Sequence, residues 1–572
     1  MRGGPDLRTL MRAVFLPGLL VPADAVNPDP VDAGADDAPM MDADDLPDPR
    51  RACIMGVIDD AIPFAHERLR HGAAGSRVAA FWAMDAARDG SGPDLPAGRE
   101  MTGARIAGWL RDLDAGRIAS EDGIYRRAGL IDMNRATTHS AAFAAGHGAA
   151  VALLAAGHDP QAAPGRDRPL IGVSLPPRLL ADTTGTLAPG AMIAAVLFVI
   201  TRARRLCRAV ERARGLAPGS VRLPVVLNLS LGLTAGPRDG SGLVERFLDA
   251  ICDMAAPDLG PVRVVLPAGN HRMGRMRATL RPGTPLDWDL PPDDRTDTPL
   301  EIWGPVLARP DAPRMQLCLA GPGLAAMRTS FTDHGQVCRL HDPRGAEIAR
   351  AYLTLTPQRG PGWRECVTLI VNPTCPAPGG PARVSPGRWQ VAVAPGSAAG
   401  EYALSLQRDE VLRGFPREAR QSRFVDPAYR DLRRDGFPMA FDPPGPPAHV
   451  HRADTVNAYA TGRATLRAGA VDATFERGMI YNALIGSRAC GDVLVRVDPA
   501  PFEAGMIVRG RGSGSFGLMS GSSLAAPWAA RWLAERMAAG ARPADRAAIV
   551  AMARSGAEAD PVLAGPGPPW AR

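Results

Sequence analysis

Five short apolar runs, near 53–59, 78–84, 169–174, 224–231 and 262–268, alternate along the first half of the chain with helical patterns near 145–157, 189–214 and 241–255. Strands separated by helices pair side by side through crossovers, so the alternation predicts an α/β class: a parallel sheet with helices on both faces. In such a sheet the loops at the C-terminal ends of the strands converge on one crevice. Chemistry is expected there.

Four segments bring reactive side chains to strand ends or helix starts. IMGVIDDAIPFAH (54–66) is an apolar run ending on Asp59 and Asp60 before a break at Pro63. A carboxylate there either orients a histidine ring, for which Asp59 is the candidate, or simply ends the strand and caps the next helix. AAGHGAAVALLAAG (144–157) is made of small and apolar residues and must be buried as a helix, with His147 at its start as a candidate general base or as a plain cap. VRVVLPAGN (262–270) ends on Asn270, whose amide can donate to a developing oxyanion or occupy a left-handed turn. GSSLAAP (521–527) holds Ser523 at the start of the apolar helical run Leu524 to Ala538, a setting for a nucleophile as well as for an ordinary N-cap.

The chain order Asp59, His147, Asn270, Ser523 resembles that of the subtilisin-like serine proteases, the subtilase family. The resemblance rests on an Asp after a VID strand, a His opening an HG helix, an AGN strand end and a small-residue serine turn before Ala and Pro. It implies a serine endopeptidase with an Asp59–His147–Ser523 triad, an acyl-enzyme and Asn270 as oxyanion donor. It also implies that VVLNLSLG (225–232) lines the substrate, with Ser230, Leu231 and Gly232 pairing with an extended peptide beside Ala268 and Gly269. AGAVDA (468–473) is similar to the strand preceding the serine segment. Ala61 stands where the family usually has Gly, Ala149 and Ala150 depart from its HGTH, and Ser522 and Leu524 replace its usual Thr and Met; none removes a catalytic group. An inert peptide-binding protein of the same fold and a serine esterase or transacylase are the alternatives. An α/β-hydrolase is disfavoured by the Asp, His, Ser order and the lack of a GxSxG elbow.

The net charge of +6 is carried by arginine alone, since the chain has no lysine. That excludes a P-loop and a Ser–Lys dyad. Arginines around 202–214 lack interleaved aromatic residues and read as a solvated helix face rather than a nucleic-acid site. GSGSFG (512–517) matches GxGxxG without a βαβ context, and HExxH and paired CxxC motifs are absent. No cofactor or metal is identified, although a structural calcium, common in subtilases, has no locatable site here. The partner implied is a polypeptide substrate. No run reaches membrane-spanning length; Ile193–Ile200 continues into a charged helix half. Oligomeric state is open. Eight scattered cysteines define no disulfide framework and read as disulfides or buried thiols.

At 572 residues more than one core is expected. Residues 1–50 read as a leader, signal-peptide-like over 1–25 and acidic and unfolded over 26–50, with localisation open between cytoplasmic and exported. The catalytic core is expected over 51–275 and 451–541, with an insertion at 86–140 that shapes or covers the cleft. Between its halves, LEIWG, MQLCLAG, ARAYLTL, CVTLIVN, RWQVAVA and EYALSLQ predict an inserted jelly-roll-like β-sandwich at 276–410, followed by an irregular linker at 411–450. A helix and frayed tail close the chain over 542–572.

Overall fold

The computed structural model describes residues 40–564, apart from 93, 134–140, 142–145, 160–166, 182, 186–187, 311–313, 411–417, 445–447, 501–504 and 556–561. The signal-like segment 1–25 and the tail beyond 564 lie outside the described residues.

A nine-stranded sheet organises the first and last parts of the chain. From one edge its order is Val562–Ala564, Val493–Asp498, Leu466–Asp472, Val262–Pro267, Val225–Leu229, Ile54–Asp59, Leu170–Ser174, Val78–Ala83, Arg99–Thr102. The seven inner strands are parallel and the two edge strands antiparallel to their neighbours. Ile54–Asp59 is buried at every position, as a central strand covered on both faces requires. The chain moves outward from this strand, returns beside it at Leu170–Ser174, and then continues on its other side at Val225–Leu229, so the switch in direction falls on the strand that ends at Asp59. That is where the crevice of an open α/β sheet lies.

Helices cover both faces. His147–Ala156 and Ser522–Ala538 pack against each other and, with Val57, Val226, Val265 and Ala468, enclose one core. Ala188–Arg214 and Leu243–Cys252 close the other face over Ile54, Ile58, Leu227 and Leu266. The former helix is 27 residues long, yet among the described residues no helix is long and apolar enough to cross a membrane. On this helix Arg202, almost fully buried, bonds Asp94 and Glu100, while Arg204 bonds Asp258. The expected insertion contains Gly103–Asp114, capped by Thr102, and Glu121–Arg127.

The acidic lead-in is not free over its last residues. Met40, Met41 and Leu46 are buried in the second core, and Asp45 accepts a hydrogen bond from the Ser76 amide. Three apolar side chains outweigh the local composition there.

Residues from Arg277 onward form two antiparallel sheets. One runs Met327–Arg328, Leu317–Ala320, Gly387–Val393, Pro285–Leu290, Arg423–Val425; the other runs Val337–His341, Glu347–Pro357, Trp363–Val371, Thr298–Leu307, Tyr402–Leu406, Arg277–Leu280. Their inward residues, among them Trp288, Trp389, Leu353 and Leu404, share one buried cluster. Arg423–Val425, which reads from sequence as linker, pairs with Asp287–Asp289 and buries Phe424. The chain is thus a mixed α/β protein with a large mixed sheet and additional antiparallel sheets. All eight cysteines are free thiols; burial drives Cys53 and Cys252 up to about 12.

Candidate functional site

Asp59 is the last residue of its strand and only 1% exposed. His147 opens a helix whose N-cap is Gly146, so its ring stands at the strand's C-terminal end. The two meet: Asp59 Oδ1 lies 2.8 Å from His147 Nδ1. Burial pulls the ring's pKa down, but the Asp59 charge, the hydrogen bond to it and the Asp60 charge together outweigh burial and raise it to about 9. Asp60 holds the opposite side of the junction, accepting from the Gly148 amide; burial and then the adjacent Asp59 charge raise it to about 6. Asp59, Asp60 and His147 place ligand-type atoms within 4.8 Å of one another, but the bonds just described already engage all three.

Gly148 is the residue that permits this contact. A methyl group there would lie 1.8 Å from the Asp60 carbonyl oxygen. Ala61 is held at φ 28°, in the left-handed region where glycine is preferred.

Ser523 lies in the first turn of Ser522–Ala538, with Gly521 as N-cap at φ 125°. Pro527 sits inside this helix and has no N–H to give to the carbonyl four residues earlier, which is that of Ser523. The Ser230 hydroxyl supplies the missing donor at 2.9 Å, and itself accepts from Asn228 Nδ2 at 3.1 Å. The hydroxyl of Ser230, a residue expected to line a substrate, thus braces the serine turn. Asn228, Leu229 and Ser230 match a glycosylation sequon, but Asn228 is fully buried in its strand.

Asn270 is tied to the same turn. The Ser522 amide and hydroxyl both lie on Asn270 Oδ1, at 2.9 and 2.8 Å, and the Gly269 amide donates to Ser522 Oγ at 3.1 Å. A backbone N–H must meet an acceptor, so the oxygen faces Ser522 and the amide nitrogen is left toward Gly521, where a methyl group would lie 3.1 Å from it. The asparagine is solvent-exposed with its donor end unspent on Ser522.

The remaining expected residues divide by how their backbones are used. Ala268 donates to the Ala468 carbonyl and accepts from Asn457, while Gly269 accepts from Ala483; neither offers a free edge. Leu231 and Leu233 turn one edge inward: Asn457 Nδ2 donates to the Leu231 carbonyl at 2.9 Å and the Leu233 amide donates to Asn457 Oδ1 at 3.0 Å. In an extended segment the groups of the residue between point the opposite way, so Gly232, which is exposed, presents its N–H and C=O outward.

Asn457 was not among the expected residues, nor was Ser522. Asn457 also bonds the Pro267 carbonyl at 3.2 Å, joining the ends of two neighbouring strands. Its sequence signal is only that of an Asn before a turn. A further unexpected group, Asp498, is fully buried and accepts from Tyr481 and, at 2.7 Å, from the Ser520 hydroxyl, bracing the chain just ahead of Gly521. Beside Asn270, His271 Nε2 lies 2.9 Å from Glu410 Oε1; the His271 and Arg408 interactions outweigh burial and depress Glu410 to about 2.

No protein-family profile matches the chain, and no curated protein matches it. Among solved structures it is similar to the CspB protease of Clostridium perfringens, at 14% identity and a TM-score of 0.54, covering 86% of this chain and 83% of that one. The likeness is one of fold: a mixed α/β architecture similar to that of a protease.

Proposed function

We propose that the chain is a serine endopeptidase with a subtilisin-like core and an inserted jelly-roll-like sandwich, in which Ser523 attacks the scissile carbonyl, His147 takes its proton and Asp59 holds the ring. The observation that carries this reading is the 2.8 Å Asp59–His147 bond at the point where the sheet changes direction, with Ser523 opening the helix packed against the His147 helix. The Asp59 bond to Nδ1 leaves Nε2 as the proton acceptor and stabilises the imidazolium that forms. As the tetrahedral intermediate develops, the Asn270 amide nitrogen and a backbone N–H at Ser523 receive its oxyanion. Collapse expels the amine with the proton from His147; water then attacks the acyl-enzyme with His147 as base again. An extended polypeptide lies along Gly232, pairing with its outward N–H and C=O. The protease fold of the structural neighbour supports a peptide substrate over a small ester.

A fluorophosphonate probe tests this. Labelling of the full chain should map to Ser523, vanish in Ser523→Ala, and fall about a millionfold in His147→Ala. Asn270→Ala should slow it about 10²–10³-fold without unfolding the chain. Absence of label on folded wild-type protein would rule out the active hydrolase in favour of an inert peptide binder.

A further inference from the structure

The antiparallel sheets join the α/β core beside Asn270. Shortly after Asn270 the chain enters their first strand, Arg277–Leu280, and it leaves them along Tyr402–Leu406, which pairs with that strand. Entry and exit are laced together. The Leu406 amide donates to the Met276 carbonyl at 2.9 Å, Arg277 Nη1 donates to Ser405 Oγ at 2.8 Å, and His271 Nε2 lies 2.9 Å from Glu410 Oε1.

The exit segment 406–410 also reaches the segment on the other side of the crevice. The Thr234 hydroxyl, close after Gly232, donates to the Leu406 carbonyl at 2.9 Å. The Thr183 hydroxyl, ahead of the helix Ala188–Arg214, donates to the Arg408 carbonyl at 3.2 Å and accepts from the Glu410 amide at 3.1 Å. Residues 406–410 therefore run from the segment assigned to the substrate to the neighbour of the residue assigned to its oxyanion. Arg408 pairs with the same Glu410 carboxylate at 3.2 Å, and its charge is felt at His147, where it opposes those of Asp59 and Asp60.

The His271 and Glu410 side chains are 22% and 35% exposed, and ion pairs open to water add little to stability. The chain beyond His271 is fixed independently, since Arg272 is 1% exposed and donates from Nε to the Asn482 carbonyl at 2.6 Å. Losing the Glu410 contact thus leaves the fold standing and loosens the stretch that carries Asn270. Placement matters there, because an oxyanion donor must be in position before the charge develops, and an error of about 1 Å costs up to about 10²-fold in rate.

We propose that Glu410 is a positioning residue for Asn270: by holding His271 it sets where the Asn270 amide stands relative to Ser523, and it ties oxyanion stabilisation to the seating of the inserted sheets. Its catalytic consequence rests on the hydrolase reading; its geometry does not.

Fluorophosphonate labelling of the full chain across probe concentrations separates the maximal rate from the half-saturating concentration. Glu410→Ala and His271→Ala should each lower the maximal rate about 10-fold and leave half-saturation within about twofold, because the oxyanion forms only during reaction. In an Asn270→Ala background neither should slow labelling further, since the group they place is gone. Effects that multiply with Asn270→Ala, an unchanged maximal rate, or a change confined to half-saturation would overturn the proposal. Hydrogen exchange gives a readout without turnover. In Ser523→Ala, the Ser522 amide that Asn270 Oδ1 accepts from at 2.9 Å should exchange about 10-fold faster once Glu410→Ala is added. Unchanged exchange would overturn the positioning role even in a chain whose Ser523 labels. Faster exchange in a chain that never labels would uphold it and defeat the hydrolase reading alone.

Discussion

His147 carries a proton that its free counterpart would have lost, because the Asp59 carboxylate and its hydrogen bond more than offset burial. The folded value of about 9 lies above the ordinary 6.5, so the protonated ring contributes stability that is fully present below pH 6.5 and is lost as pH rises through 9. Urea midpoints should therefore decline across that window in the wild type and flatten in His147→Ala. Acylation runs the other way: the neutral ring is the base, so fluorophosphonate labelling should climb with pH and level off above about 9. A labelling profile with its midpoint near 6.5 would show that the Asp59 bond does not form in solution. The same scale explains which site residues could be read from sequence. Asp59, His147, Asn270 and Ser523 each announce themselves by position at the end of an apolar run or the start of one. Ser522 and Asn457 do not, since a small polar residue beside a turn has many uses, and their partners lie up to 253 positions away. Ala61 shows the opposite case: its left-handed backbone falls where the resemblance leads one to expect glycine, so a familiar conformation persists at a residue that is strained in it.

At the scale of elements, the site depends on how closely the His147 helix approaches the end of the strand Ile54–Asp59. Gly148→Ala would drive a methyl group into the Asp60 carbonyl, and neither backbone can yield without separating His147 from Asp59. The variant should lose about 3 kcal/mol, at the upper end of overpacking costs, with probe labelling falling further than stability alone explains. Gly146→Ala, beside it in sequence, meets nothing within 4 Å and should keep its labelling. Thermal melts and labelling rates on the pair decide the matter. The long strands and helices were legible because burial on both faces, or on one helical stripe, repeats locally. Pro285–Leu290 was missed although Leu286, Trp288 and Leu290 alternate inward, because two intervening aspartates and flanking prolines dilute the pattern. Pro527 reads as an ordinary first-turn proline; its consequence, a Ser523 carbonyl handed to Ser230, exists only once strand and helix are brought together.

Across the whole molecule, the antiparallel sheets are fastened to the core by Arg359 and Arg364. Arg364 donates to the Pro237 carbonyl and to Asp239, at 3.0 and 2.9 Å; Arg359 donates to the Gly240 carbonyl at 2.8 Å and pairs with Asp249, which is nearly buried. Arg359→Ala leaves the Asp249 carboxylate with the Arg463 and Ala464 amides alone, and should cost about 1–3 kcal/mol, read as a lower denaturant midpoint. Arg281→Ala removes a pair exposed at both ends and should leave the midpoint unchanged. Equal effects would mean that the Arg359 contact does not hold the two parts together.

By itself the sequence determined where five strands of the large sheet and the helices between them run, that a parallel sheet must form, and which four side chains stand at the ends of elements. These are properties of consecutive residues, set by periodicity, chain stiffness and the demand that apolar runs be covered. Tertiary structure alone decided that the Ser230 hydroxyl reaches the Ser523 carbonyl and that Asn457 holds the Leu231 carbonyl and the Leu233 amide. Each of these depends on which distant surfaces come into contact, and contact follows from packing all the elements at once, which no local stretch encodes.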